Sequence, residues 1–210
     1  ERKKETCVKA ASSQTTSPVT LDKHMYKAYA CFMNIFVLDE DMRKSIISYN
    51  DKHLVKMQLE SAQMLCTAVV LSGDVAPYKP THINHPCSIW VRESISNWFY
   101  LRDMAYIMED EWRFRFDKRS GSTHKAIDAV RTLIIPPLPD KGLTAFALAM
   151  PDKYKTGNAI ESYRAYYTHE KHSYTMRGKA CPHKWTTRSK PAWMDKSIYP
   201  ISEGTTNANV

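Results

Sequence analysis

His53, Lys56, Glu60 and Gln63 follow one another at i, i+3, i+7 and i+10. On a helix that spacing makes one polar stripe along a body whose other face is apolar. Such a stripe could line a cleft. A glutamate held beside a basic group in a partly dry pocket can abstract a proton or stabilise a developing cation, and a neighbouring amine can act as a covalent nucleophile. The plainer alternative is an exposed helix face on which Lys56 and Glu60 form an i, i+4 ion pair.

A second polar set runs through Asn84, His85 and Pro86 to Arg92, Glu93 and Asn97. Arg92 and Glu93 end the apolar run from Ile89 to Val91, so they turn either into a site or toward each other as a salt bridge, because buried charges persist mainly when paired. The closest histidine pairs, His82 with His85 and His169 with His172, lack the H-E-x-x-H spacing of a zinc helix, so no metal site is expected. With only six glycines and no G-x-G-x-x-G, Walker or G-x-S-x-G run, a phosphate-cradling loop is also not expected, and the reading includes no cofactor.

These residues need elements to position them. Met33 to Leu38 reads as a short strand or an extended lead-in, running into the acidic turn Asp39, Glu40 and Asp41. Asp51 to Leu71 reads as a long helix, with Asp51 near its cap, apolar residues at Leu54, Val55, Leu65, Ala68 and Val69, and Gly73 just past its end. Pro86 suits the first turn of a second long helix reaching about Phe116, after a loop from Asp74 to His85. A third helix is expected over Thr123 to Leu133, and a fourth from an Asn158 cap to near Tyr174. The fold expected is therefore mainly α: a single compact helical domain with long loops over residues 33–200. Residues 1–32 read as a disordered arm or untranslated upstream sequence, and residues 201–210 as a frayed tail.

A chain of 210 residues with 43% hydrophobic content can bury a real core. Apolar stretches such as Ile35–Leu38 and Ala145–Met150 fall short of the roughly 20 residues that span a bilayer, so no transmembrane helix and no membrane partner are expected. Five scattered cysteines, Cys7, Cys31, Cys66, Cys87 and Cys181, argue against a disulfide framework, and no apolar leader follows Glu1, Arg2, Lys3 and Lys4. The setting expected is cytoplasmic. The net charge of +8 is concentrated between Lys153 and Lys196, where ten Lys or Arg stand against three acids. Tyrosines and tryptophans are interleaved with them, so the segment could neutralise phosphates and stack on bases. Lys171, Arg177, Lys179, Lys184, Trp185, Arg188, Lys190 and Trp193 are the candidate nucleic-acid contacts, the alternative being a solvated basic surface with its rings packed inward.

Asp51, His53 and Leu54 followed by Glu60, with His85 ahead of an aromatic-rich helix and Lys190, Pro191, Ala192 and Trp193 near the end, resemble the phage pyrimidine-dimer DNA glycosylase/AP lyase of the endonuclease V type. The longer run from Met33, Asn34, Ile35, Phe36, Val37, Leu38 and Asp39 through Asp51, Lys52 and His53 to His85 and Pro86, with Ala149, Met150, Pro151 and Asp152 later, resembles an uncharacterised protein family of tailed phages. That places the chain in a host cell cytoplasm if it is phage-encoded. The glycosylase resemblance implies an amine that attacks C1′ of a damaged nucleotide to form an imine, and a glutamate, here Glu60, that stabilises the cationic state and assists β-elimination. His53 would sit beside that site, with Arg92 and His85 in a supporting set, and the basic segment would grip a bent DNA duplex. In that family the amine is the one exposed when an initiator Met is removed before a small residue. Here Asn34 follows Met33, 32 residues precede Met33, and Leu59 stands where the family has an arginine. Lys56, one turn before Glu60, is the substitute amine. The rival expectations are a metal-dependent nucleotide or nucleic-acid hydrolase using His53, His85 and Glu60, and a non-catalytic nucleic-acid-binding phage accessory protein.

Overall fold

The computed structural model describes residues 33–118, 123–171, 173–176, 179–195 and 197–199. The arm expected over 1–32, the tail over 201–210 and Arg177 lie outside them. Within them the chain is a helical domain. Its helices are α1 (Met42–Ile47), α2 (Asp51–Leu71), α3 (Pro86–Glu93), α4 (Ile95–Arg115), α5 (Lys125–Arg131) and α6 (Ala159–Glu170). A small antiparallel hairpin, β1 (Ser173–Met176) with β2 (Lys179–Pro182), follows α6 in the register Ser173 to Pro182 and Met176 to Lys179.

Most helix starts are satisfied by a local side chain. Asp41 caps α1, Asn50 caps α2 by accepting the His53 N–H at 2.9 Å, His85 caps α3 ahead of Pro86, and Asn158 caps α6. At the far end of α2, Gly73 takes φ +98°, a conformation that stops a helix cheaply only without a Cβ. From Glu60 onward α2 is buried nearly all round, through Met64, Leu65, Ala68 and Val69, and it packs against α3, α4 and α5. By length and composition α2 could cross a membrane, unlike any unbroken apolar run in the sequence, but its most apolar window is 67% buried inside the fold. That is the condition of a central core helix.

The sequence expectation fails at three places. The single helix from Pro86 to about Phe116 is two, because Ser94 turns extended (φ −148°, ψ 144°), caps α4 through its hydroxyl and accepts the Lys141 N–H at 3.0 Å. The Ile95 N–H reaches Pro139 O at 2.9 Å, so the loop that returns past this joint takes the hydrogen bonds a continuous helix would have made. The fourth helix ends at Glu170, short of Tyr174, which lies in β1, and α1 was not anticipated. Met33 to Leu38 is the extended lead-in, not a strand: all six residues are buried, Phe36 O accepts the Tyr49 hydroxyl at 2.6 Å, and Leu38 donates its N–H to Ser45 Oγ at 2.8 Å.

One guanidinium ties four parts of the chain together. Arg115, whose side chain is fully buried, donates to Glu111 Oε1 at 2.7 Å, Tyr49 O at 2.7 Å, Ile47 O at 2.8 Å and Asp51 Oδ1 at 3.2 Å. Glu111 is shared with Arg188 (2.9 and 2.8 Å), and Asp51 also takes the Thr186 N–H and hydroxyl. The C-terminal strap is thereby stapled to the start of α2. Removing one member of a buried charge network strands the others without solvent or partner. Arg115→Met should therefore cost about 3 to 5 kcal/mol in denaturant unfolding, whereas Arg43→Ala, at an exposed 3.9 Å pair with Asp110, should cost less than about 0.5 kcal/mol. Equal losses in the two variants would contradict the assignment of Arg115 as the tie.

Candidate functional site

The first half of α2 forms one wall of a small open cleft whose enclosed part has room for about one water molecule. His53, Lys56, Met57 and Glu60 come from α2, Met33, Asn34 and Phe36 from the lead-in, and Lys171 from the end of α6. Three of the four residues in the polar stripe thus meet in one place. Gln63, the fourth, is not in the lining, and its carbonyl accepts the Thr67 hydroxyl at 2.7 Å.

Glu60 is the buried acid of the site. Its side chain is 5% exposed, and the half-exposed Lys56 holds its ammonium 3.1 Å from Oε1. Burial pushes the carboxyl up to about 7, against the pull of the Lys56 ammonium, the Asn34 backbone N–H and Lys171. At about 1.4 kcal/mol per pH unit, desolvation outweighs those attractions by about 3 kcal/mol. Near neutrality this carboxyl both gives and takes a proton, beside a primary amine.

His53 faces the opposite constraint. Its ring stacks on Phe36 at 5.2 Å between centroids, and Nδ1 lies 2.8 Å from the Tyr167 hydroxyl and 3.0 Å from Asn50 Nδ2. Burial first, then the charges of His183, Lys171, Lys56 and Lys52, lower its pKa to about 3, so the ring is neutral. The three lysines among them make the surroundings of the cleft electropositive.

Arg92 and His85 do not join this site. His85 accepts the Cys87 N–H at 3.2 Å and caps α3, with its pKa lowered to about 4 by burial and His82. Arg92 donates to Ile83 O at 2.8 Å and burial lowers its pKa. The alternative pairing of Arg92 with Glu93 is not formed either, since Glu93 accepts from Thr144 Oγ1 at 3.3 Å and neighbours at i, i+1 diverge on a helix. Among the described residues no group of three or more His, Cys, Asp and Glu is placed to hold a metal ion.

The basic segment divides. Lys171 lines the cleft with its ammonium 4.9 Å from the Tyr166 ring, and Lys184 and Lys190 are exposed. Three of the candidate contacts are anchors instead. Trp185 donates its indole N–H to Ser48 O at 3.0 Å, Arg188 spends its guanidinium on Glu111 and lies over Phe114 at 4.2 Å, and Trp193 packs 6.2 Å from Tyr167 with Arg164 at 5.3 Å. The Lys179 backbone is in β2, its side chain lying outside the description, as does Arg177.

The sequence reading did not select Lys52, Asn50, Tyr167 or His183 as site residues. Lys52 could have been found, since Lys52 and Lys56 share a helix face at i, i+4. Tyr167 lies 114 positions from His53, a separation that no local periodicity encodes. No family model, no curated protein and no solved structure matches this chain.

The raised Glu60 carboxyl has a stability consequence. The folded chain holds this proton above the ordinary value near 4.5. The contribution is complete below that pH and is lost as pH rises through about 7. Glu60→Gln should therefore gain stability on the native protein as the pH goes from 5 to 8, by up to about 3 kcal/mol. Denaturant midpoints at the two pH values measure it, and a difference that does not change with pH would refute the shift.

Proposed function

We propose that this chain is a DNA-processing enzyme of the glycosylase/AP-lyase type, acting on damaged or modified bases in a duplex through an imine intermediate. The observation that carries this reading is the 3.1 Å approach of Lys56 Nζ to a buried Glu60 carboxyl that titrates at about 7. Glu60 as carboxylate takes a proton from the Lys56 ammonium, and the free amine attacks C1′ as the base departs with its bonding electrons. The amine then loses its second proton and the sugar ring opens, leaving an imine between Nζ and C1′. Abstraction of a C2′ proton expels the 3′ phosphate by β-elimination, and water releases the lysine.

Two further features support it. In the glycosylases that the sequence resembles, an amine and a glutamate act on the same nucleotide, and here the Asn34 backbone N–H reaches the Glu60 carboxyl while Met33 lines the same cleft. The lysines around the mouth, Lys52, Lys56 and Lys171, suit a polyanion, whose binding falls steeply with salt.

Borohydride trapping tests the proposal, on duplexes carrying an abasic site or a cyclobutane dimer, with the full chain and with a version starting at Met33. The expected result is a covalent protein–DNA band, abolished in Lys56→Ala and formed about 100-fold more slowly in Glu60→Gln. A band that survives in Lys56→Ala, with the adduct mapped to the α-amine of the shorter version, transfers the nucleophile to that amine. No band on either duplex, with binding intact, sinks the enzyme reading in favour of a nucleic-acid-binding protein.

A further inference from the structure

The two ring nitrogens of His53 are not equivalent in this fold. The Asn50 amide has a fixed orientation, because its Oδ1 accepts the His53 N–H at 2.9 Å as the cap of α2 and its Nδ2 therefore points the other way. That NH₂ group lies 2.9 Å from the Tyr167 hydroxyl and 3.0 Å from His53 Nδ1, which are themselves 2.8 Å apart, so one of its hydrogens is shared between the two. The Asn50 backbone N–H also donates to the Tyr167 hydroxyl, at 3.0 Å. With the phenol oxygen accepting from both, its own proton has one acceptor within reach, His53 Nδ1 at 2.8 Å. Nδ1 thus accepts the phenol proton with a share of the Asn50 N–H, and carries no proton itself. In a neutral ring the proton is then on Nε2, which has no hydrogen-bond partner among the described residues on a ring that lines the cleft.

We infer that Tyr167 and Asn50 lock His53 as the neutral Nε2–H tautomer, and that this N–H serves the cleft as a hydrogen-bond donor to a ligand oxygen that bears or develops negative charge. Tyr167 is a positioning residue, acting only through the ring. The lock stands by itself, whereas the identity of the ligand rests on the function proposed above. An imidazolium would place an Nδ1–H against two donors, and the buried phenol would have to accept a third bond with its own proton left unplaced. Burial and the charged groups around the ring oppose the cation as well: Lys52 and Lys56 on α2, Lys171 after α6 and His183 after β2. Glu60, in the same cleft, is the group that exchanges protons, so His53 acts neither as its rival base nor as a second acid.

The oxygen served has two sources with one chemistry. It is either a phosphodiester oxygen or the sugar ring oxygen, on which charge develops as the deoxyribose ring opens toward the imine. A neutral donor fits this task, because it stabilises charge without surrendering its proton.

Long-range ¹H–¹⁵N correlation on the ¹⁵N-histidine-labelled full chain tests the lock directly. Between pH 5 and 8, His53 Nδ1 should show the shift of an unprotonated nitrogen and Nε2 that of a protonated one. A proton on Nδ1, or a ring that titrates through this range, overturns the inference. In Tyr167→Phe the ring should begin to populate the other tautomer or to titrate; no change there removes Tyr167 from the role. The trapping rate supplies the second arm. Glutamine can place an N–H where Nε2 stood and asparagine only where Nδ1 stood, so His53→Gln should lie within about tenfold of native, while His53→Asn and His53→Ala fall by about 10²-fold or more. Equal rates for Gln and Asn overturn the donor role.

Adding inorganic phosphate, an undamaged duplex or a duplex with a tetrahydrofuran abasic analogue identifies the oxygen. An Nε2–H shift with phosphate or with the undamaged duplex assigns a phosphate oxygen, a shift with the abasic duplex alone assigns the sugar, and no shift in any arm overturns the ligand assignment. Should no covalent adduct form while Nε2–H still responds, the glycosylase reading falls and the donor survives it.

Discussion

The fully buried guanidinium of Arg115 is the constraint on which the rest of the molecule depends. It holds the carbonyls of Ile47 and Tyr49 at the end of α1 and the carboxylate of Asp51 at the start of α2, so it sets where α2 begins. Asp51 and Glu111 then capture Thr186 and Arg188, which lays the C-terminal strap across the same helix end and leaves His183 against His53. A guanidinium suits this place because its donors sit in a fixed fork and it stays charged when buried. Lysine could neither reach four acceptors nor keep its charge so readily. The α2 wall of the cleft inherits its geometry from this junction, since it begins at His53, two positions after Asp51.

Glu60 sits where a core helix has just lost its solvent. From Glu60 to Val69 almost every α2 residue is buried, yet the chain keeps a carboxyl at the upper edge of that stretch with a half-exposed lysine as ion-pair partner. A glutamine of the same shape would avoid the desolvation of a charge. Retaining an acid there costs stability above neutral pH, and groups shifted by burial and placed in a cleft are where proton chemistry is found. Folding alone does not account for Glu60, whereas Glu109, equally buried, is matched by Arg113 and Arg131.

Legibility in the sequence followed the range of the interactions. The whole of α2 was readable because its apolar period, its cap and Gly73 all lie within the helix or one turn of it, and the stripe of His53, Lys56 and Glu60 came with it. The α3–α4 joint was not, because Ser94 breaks the helix for the sake of Pro139 and Lys141, more than forty residues away. Nor was the partition of the basic segment. Arg188 and Lys184 look alike in composition, and only the position of Glu111 makes one an anchor while the other stays exposed. The aromatic residues of that segment mislead for a related reason: Trp185 and Trp193 bind the strap to the body as readily as they could stack on a base.

Burial keeps His53 neutral, and the positive charges around it act in the same direction. The lysines Lys52, Lys56 and Lys171 raise the potential at the ring, which adds to the desolvation that expels a proton from the imidazole. A histidine kept neutral among cations can still donate through Nε2, but it cannot compete with Glu60 for the proton of Lys56. At Glu60 burial outweighs the ammonium beside it. Desolvation therefore moves the two groups in opposite directions, the imidazole down and the carboxyl up, and leaves the carboxyl as the group poised near neutrality.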